Sequence, residues 1–237
     1  MWSSALSESA LEAALPVPIE VRRVRTAKHL RLRFDEATGT LKLTCPWRSS
    51  RRKALAWALD QQQWIERQLA RAEPGEPFAD GARFPLEGRD VVIRWDERSP
   101  RTPVLGDAVL NCGGPDQGLA RRVEQFLKKR ALEILSRDVA EFAAAAGVAP
   151  KAITVGDPAS RWGSCSSRDC IRFSWRLILA PPNVRRYVAA HEVAHLVHLN
   201  HGAEFKALEA RLFGVGVAAA KAELRRLGPR LRRIGRG

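Results

Sequence analysis

Four of the five histidines in the chain crowd into one run, His191-Glu192-Val193-Ala194-His195-Leu196-Val197-His198-Leu199-Asn200-His201. The spacing restricts the backbone. An α-helix turns about 100° and rises about 1.5 Å per residue, so residues four apart share a face, about 6 Å from one another. His191 and His195 can then aim both imidazoles at one ion, at about 2.0–2.1 Å. Glu192 follows the first histidine but is rotated off that axis, where it can take a proton from a water held at the ion. The run therefore predicts a helix through residues 191–195 with one chemically loaded face.

Two histidines compete for the third ligand position. On an unbroken helix His198 keeps the same face but lies about 10.5 Å along the axis from His191, too far for three rings to meet at one ion. His201 can converge if the helix stops near Leu199 and the chain folds back. Asn200 tolerates a left-handed cap and Gly202 loosens the next step. The expected ligands are His191, His195 and His201, which leaves the fourth tetrahedral position free for water. Zinc is the expected ion, because imidazole donors and H-E-x-x-H suit it, and the chemistry is zinc-dependent hydrolysis. His198 reads as a supporting or surface residue and His29 as a lone loop histidine. Surface histidines on an ordinary amphipathic helix are the bland alternative. The third histidine, the helix stop and the scarcity of histidine elsewhere weigh against it.

With 237 residues, 45% of them hydrophobic, the chain can hold one large or two modest domains. Its formal net charge of +14 favours polyanions: nucleic acid, acidic protein or a membrane surface. Arginine-rich solvated faces would give the same balance. No stretch approaches the roughly 18 apolar residues of a membrane span. The start has neither a basic region nor an apolar stretch after it, so no signal peptide is expected and the location is expected to be cytoplasmic. Cys45, Cys112, Cys165 and Cys170 form no C-x-x-C pair and are expected to be free thiols.

Residues 1–18 are polar and acidic with Pro16 and Pro18, a flexible N-terminal tail or a short frayed helix. From Glu20 to Leu43 apolar residues alternate with Arg, Lys and Thr, as half-buried antiparallel strands do. Ser49 or Ser50 caps one helix running to about Arg71. Residues 78–88 carry turn signals, and 91–95 and 104–110 read as short strands. The Gly-rich segment 111–118 is the expected domain boundary, so 19–115 form a β-rich N-terminal module with one helix. The arginines of its strands, Arg22, Arg23, Arg25, Arg31 and Arg33, make either a basic sheet face or edge charges that discourage aggregation. Beyond the boundary come a long helix over 119–146 capped by Gly147, a strand at 153–155, a turn-rich stretch over 161–170 and a strand at 171–179. The histidine helix follows, set up by Pro181 and Pro182 with Asn183 as its N-cap. Helices at 204–213 and 217–227 and a basic C-terminal tail end the chain.

Several blocks specify more. Ser160-Arg161-Trp162-Gly163-Ser164-Cys165, then Phe173-Ser174-Trp175-Arg176 through Pro181, then Tyr187 to His195 with Asn200-His201, together resemble the YgjP-like metal-dependent hydrolases. These are zincins related to the SprT and Spartan metalloproteases, and the resemblance spans roughly residues 20–235. It implies an α+β fold in which 116–237 are a zincin-like metallopeptidase domain, helices packed on a small mixed sheet, preceded by the β-rich module. It implies that His191, His195 and His201 bind Zn2+ and that Glu192 is the catalytic acid/base. Two positions depart from the usual pattern: Lys206 stands where tryptophan is usual, and Ser174 where asparagine is frequent.

The implied reaction is hydrolysis of a peptide or protein substrate. Arg161, Trp162, Gly163 and Ser164 are candidate substrate contacts along a sheet edge, where glycine permits close backbone approach and Trp162 could wall a subsite. Tyr187, one turn before His191, is a candidate donor to the developing oxyanion, with packing under the helix as its alternative. Two other function classes stay open: a nucleic-acid-binding protein whose protease activity acts on DNA-bound proteins, and a metal-stabilised interaction module without turnover. No membrane partner is expected, and nothing specifies an oligomeric state.

Overall fold

A computed structural model describes residues 7–36, 38–71, 74–158 and 161–237. Among them are seven helices and three small mixed sheets, an α+β architecture as expected. The chain divides into two compact units, residues 1–75 and 76–237.

In the first unit, α1 (Glu8–Ala13) is capped by Ser7, whose hydroxyl accepts from the Ala10 amide at 3.2 Å, and it buries Leu11. The described part of the expected tail is thus the helical alternative, while residues 1–6 lie outside the described residues. Strands β1 (Ile19–Val24), β2 (Arg31–Asp35) and β3 (Thr40–Pro46) form a sheet in the order β1-β3-β2. The alternation of Leu41, Leu43 and Cys45 puts those three side chains in the core. One expectation fails here: β1 runs parallel to β3, and only β2 is antiparallel to it. Residues 25–30 carry the chain to the far side of β3, an order that alternation alone cannot report. The single helix expected to Arg71 is two, α2 (Arg51–Leu59) and α3 (Gln62–Arg71), with Ser50 as the cap of the first. The break at Asp60 lets Ala54 and Ala58 pack on Leu43 and Cys45 while Ile65 packs with Leu15 and Leu41.

The second unit opens with a sheet of order β4-β5-β7-β6: β4 (Arg83–Leu86), β5 (Arg89–Trp95), β6 (Val104–Leu105) and β7 (Val109–Cys112). The turn signals at 78–88 concealed β4. Glu87 and Gly88 both have positive φ, 52° and 83°, the two-residue connection that suits the twist of a tight hairpin. The boundary expected at 111–118 falls inside this unit. Phe84, Leu86, Val91, Ile93 and Leu110 share one core with the long helix α4 (Leu119–Ala146), because the sheet is too small to cover its own apolar face. Glycine and proline at 113–115 mark a turn into α4 and not a linker.

Helix α4 buries Leu119, Val123, Leu127, Leu135, Val139 and Phe142 at helical spacing, and Gly147 ends it with φ 69°. The second sheet of this unit is β8-β10-β9, from β8 (Ala152–Gly156), β9 (Gly163–Cys165) and β10 (Cys170–Ser174), with β9 on an edge. A 3₁₀ turn over Trp175–Leu179 replaces the second half of the strand expected at 171–179. Three helices complete the unit: α5 (Pro182–Val197), α6 (Ala203–Phe213) and α7 (Val217–Arg233). The expected basic tail is mostly helix, and its end is tied down by a parallel bridge between Glu76 and Ile234. All four cysteines are free. Among the described residues no helix is long and apolar enough to cross a membrane.

Two ion pairs, one buried and one half-buried, fix the helices. Arg185 on α5 donates to Asp138 on α4 at 2.7 Å, and both are buried. Arg176, 2% exposed, donates to Asp157 at 2.7 Å and to the carbonyls of Leu231 and Ile234, fastening the end of α7 under the sheet. Burial alone would raise the Asp157 carboxyl, but Arg176, helped by Arg236 and Lys128, holds it below its ordinary range. A carboxyl depressed on folding stabilises the protein above its unfolded pKa, and this contribution is lost as pH falls through the folded value. Asp157→Asn is therefore expected to cost about 1–3 kcal/mol in urea denaturation at pH 7. The gap to the wild type should close as pH drops below about 4.

Candidate metal centre

Helix α5 begins with Pro181 as N-cap and Pro182 in its first turn; proline fits there because the first amides have no acceptor. Asn183, expected as the cap, donates its side-chain amide to Glu223 on α7 at 3.0 Å instead. The helix ends at Val197, and His198 leaves it in an extended conformation, φ −127° and ψ 108°. The stop thus comes close to where the third ligand requires it, by another device. Among the described residues outside glycine, positive φ occurs only at Glu87, Ala108 and Asp169, so Asn200 is not left-handed. Its Oδ1 accepts from the Gly202 amide at 3.1 Å, a side-chain turn that redirects the chain into α6.

The turn brings His201 back to α5. Each of His191, His195 and His201 offers one ring nitrogen, and these lie within 4.8 Å of one another. Nε2 of His201 stands 3.3 Å from Nε2 of His191. Two donors bound to one tetrahedral ion at about 2.0–2.1 Å are separated by about 3.3–3.4 Å, the spacing of the His191 and His201 pair. The far sides of two rings are also committed. His191 Nδ1 lies 2.6 Å from Glu209 Oε1, and His195 Nδ1 lies 3.0 Å from the His198 carbonyl oxygen. Donation from both Nδ1 atoms leaves both Nε2 lone pairs for a ligand role. His198 thereby contributes a carbonyl, while its ring lies 3.7 Å from Glu204. Burial holds His191 and His195 below the ordinary histidine range, against the opposing pull of Glu209 on the first and of the His198 carbonyl on the second.

Glu209 and Phe205 escaped sequence reasoning as parts of this centre. Both sit on α6, four residues apart and so on one face. Phe205, 1% exposed, packs its ring 5.1, 4.5 and 4.8 Å from those of His191, His195 and His201, a floor under all three. A buried glutamate one turn past a buried phenylalanine was the available signal, and it is legible only once α6 is known to fold against α5.

Glu192 is 4% exposed, and its Oε2 has no hydrogen-bond partner among the described residues. Burial raises its pKa to about 7, with the charge of Arg161 pulling the other way. A Cβ on Gly163 would lie 2.3 Å from Glu192 Oε1, so the glycine of β9 exists to admit this carboxylate. The sequence suggested a close approach at Gly163, but of a substrate.

A cleft of about 330 Å³ opens over His191, Glu192 and His201, walled also by Trp162, Gly163, Tyr187, Val188, Lys221, Leu224 and Arg225. Of the expected substrate contacts, Trp162, Gly163 and Tyr187 line it and Arg161 and Ser164 do not. Trp162 also packs on Gly228 of α7 beneath the Arg232 guanidinium, 4.4 Å from its ring centre. Tyr187 is 5% exposed against Phe213 and His191, and burial, with Glu209 and Glu192 nearby, pushes its phenol up to about 12. Ser160 lies outside the described residues. A larger cleft of about 550 Å³, between 101–103 and α4, contains no histidine.

Three imidazoles converging from a helix and the turn after it, with a buried carboxylate beside them, form a group that could hold a metal ion. The chain belongs to the YgjP-like family: the model of the YgjP-like metallopeptidase domain matches residues 28–227. Membership implies a divalent metal and a hydrolase. Searches of curated proteins and of solved structures returned no match.

Glu209→Gln is expected to weaken divalent-ion affinity about 10–100-fold in chelator competition. His198→Ala keeps the carbonyl that orients His195 and should change affinity by no more than about twofold.

Proposed function

We propose that the chain is a zinc-dependent metallopeptidase that hydrolyses peptide bonds, with His191, His195 and His201 holding the ion and Glu192 as general base. The observation that carries this reading is the convergence of three ring nitrogens beside a buried carboxylate oxygen that has no partner among the described residues. Three imidazoles and no carboxylate in the donor set favour zinc over the oxygen-seeking magnesium and calcium. When bound, zinc supplies a Lewis acid that polarises the scissile carbonyl and acidifies water.

The remaining work falls to the chain. A carboxyl raised to about 7 gains and loses a proton at similar cost near neutral pH, which suits Glu192 to take one from water and return it to the leaving amine. Glu209 and the His198 carbonyl hold two rings in the tautomer that presents Nε2. Edge strand β9 offers its free backbone to an extended peptide, and Trp162 and Tyr187 supply apolar walls.

Glu192→Gln is expected to lower the rate of casein or peptide hydrolysis at least about 100-fold while zinc content by atomic absorption stays at one ion per chain. Substantial turnover by the zinc-loaded variant would reject this assignment. Chelation should abolish hydrolysis and zinc should restore it. A zinc-loaded wild type inert toward every peptide offered would favour a metal-stabilised module without turnover.

A second reading, docking on nucleic acid, has two basic patches of the first unit in its favour. On the outer face of the first unit's sheet, Arg22 and Arg31 lie in one row across Thr44. Trp47, 52% exposed, has the Arg23 and Arg25 guanidiniums 5.4 and 5.7 Å from its ring centre. Aromatic platforms among cations suit single-stranded nucleic acid. Its affinity should fall steeply between 50 and 200 mM salt, roughly tenfold or more. No binding at low salt would leave the positive charge without this role.

A further inference from the structure

One wall of the cleft is formed by α7, which carries Lys221, Arg225, Arg226, Arg230, Arg232 and Arg233. The four beyond Arg225 are engaged. Arg226 approaches Glu223 at 4.0 Å, and Arg230 and Arg233 approach Glu76 at 3.1 and 3.9 Å. Arg232 donates to the Pro158 carbonyl at 3.0 Å and covers Trp162. Lys221 and Arg225 differ. They lie one turn apart on the same face, both exposed, and neither has a carboxylate partner among the described residues. Both line the metal cleft.

A solvated cation needs no partner, and a strongly basic chain has many. Here, however, the helix engages every cation except the two that face the centre. Among the described lining residues the only carboxylate is Glu192, which is buried. Between Lys221 and Arg225, Leu224 continues the apolar wall made by Val188 and Tyr187. The cleft thus has one apolar wall and one cationic rim, and among its described lining residues only the buried Glu192 could repel an anion.

We propose that this cleft selects peptides bearing a carboxylate, held by Lys221 and Arg225 while the neighbouring residue lies against Leu224, Val188 and Tyr187; this substrate class rests on the peptidase reading above. The carboxylate belongs either to an aspartate or glutamate side chain or to the C-terminus of the peptide. Arginine can grip it through two N–H groups, and lysine adds a point charge.

The test uses the full-length, zinc-loaded chain with four fluorogenic peptides: one sequence with glutamate or glutamine near the cleavage point, each as the free acid or the C-terminal amide. Binding is read by anisotropy and cleavage by kcat/KM. The glutamate amide outperforming the glutamine amide by about tenfold, with the gap shrinking as salt rises, is expected for a side-chain carboxylate. A free-acid advantage in the glutamine pair would assign the terminal carboxylate. Lys221→Glu/Arg225→Glu should abolish or invert whichever preference appears, and Arg226→Glu, a folding control on the same helix, should keep it. Carboxylate-dependent binding without cleavage of any peptide would sink the peptidase reading and leave the ligand class standing. Equal binding and cleavage of all four peptides, or a preference that survives the double reversal, would overturn the proposal.

Discussion

The second unit depends on burying α5 nearly all round while that helix carries some of the most polar side chains in the chain. Val184, Tyr187, Val188, Ala189, Ala190, Val193 and Ala194 are buried, and so are Arg185 and Glu192. Buried polar groups cost several kcal/mol unless partnered, so each neighbour of α5 must supply a partner as well as apolar contact. Helix α4 supplies Asp138 to Arg185, and α6 supplies Glu209 to His191. The helix's own continuation supplies the His198 carbonyl to His195. Two atoms of α5 are exceptions among the described residues, Arg185 Nη1 and Glu192 Oε2, and the second is a free carboxylate oxygen beside the three imidazoles.

The parts legible from sequence are those written in local spacing. His191, Glu192 and His195 follow from helical period alone. His201 followed from a distance argument, which required a stop; the helix ends at Val197 and the Asn200 side chain, not a left-handed backbone, then redirects the chain. The 28 residues of α4 and its Gly147 stop were equally plain. The losses lie where partners are distant in sequence. Parallel pairing of β1 with β3 leaves the same alternation as antiparallel pairing, and β4 was hidden by the turn residues beside it. The segment at 111–118 has the composition of a linker, and only the shared core of β4–β7 with α4 places it inside one unit. Glu209 and Phe205 had no local marker, because their role comes from α6 packing against α5.

Gly163 shows how one position can satisfy two demands. It stands on an edge strand, where an incoming backbone needs room, and it is also where Glu192 reaches toward the cleft. A side chain there would collide with the carboxylate before it met any peptide. Ser174, directly after Phe173, the strand residue paired with Gly163, is fully buried with an unpartnered hydroxyl among the described residues. Nothing in the structure explains why serine stands at that position.

The joint from His198 to Gly202 acts as a ruler. It sets the distance between the end of one helix and the start of the next, and both ends carry parts of the same centre: His195 with its carbonyl partner before it, His201 within it, Phe205 and Glu209 after it. A residue added between Val197 and Ala203 would change that distance and carry Phe205 and Glu209 out of register with the rings of α5. Sequence variation in chains built on this plan should therefore spare His201, accumulate in the identity of the other four residues and hardly ever change their number.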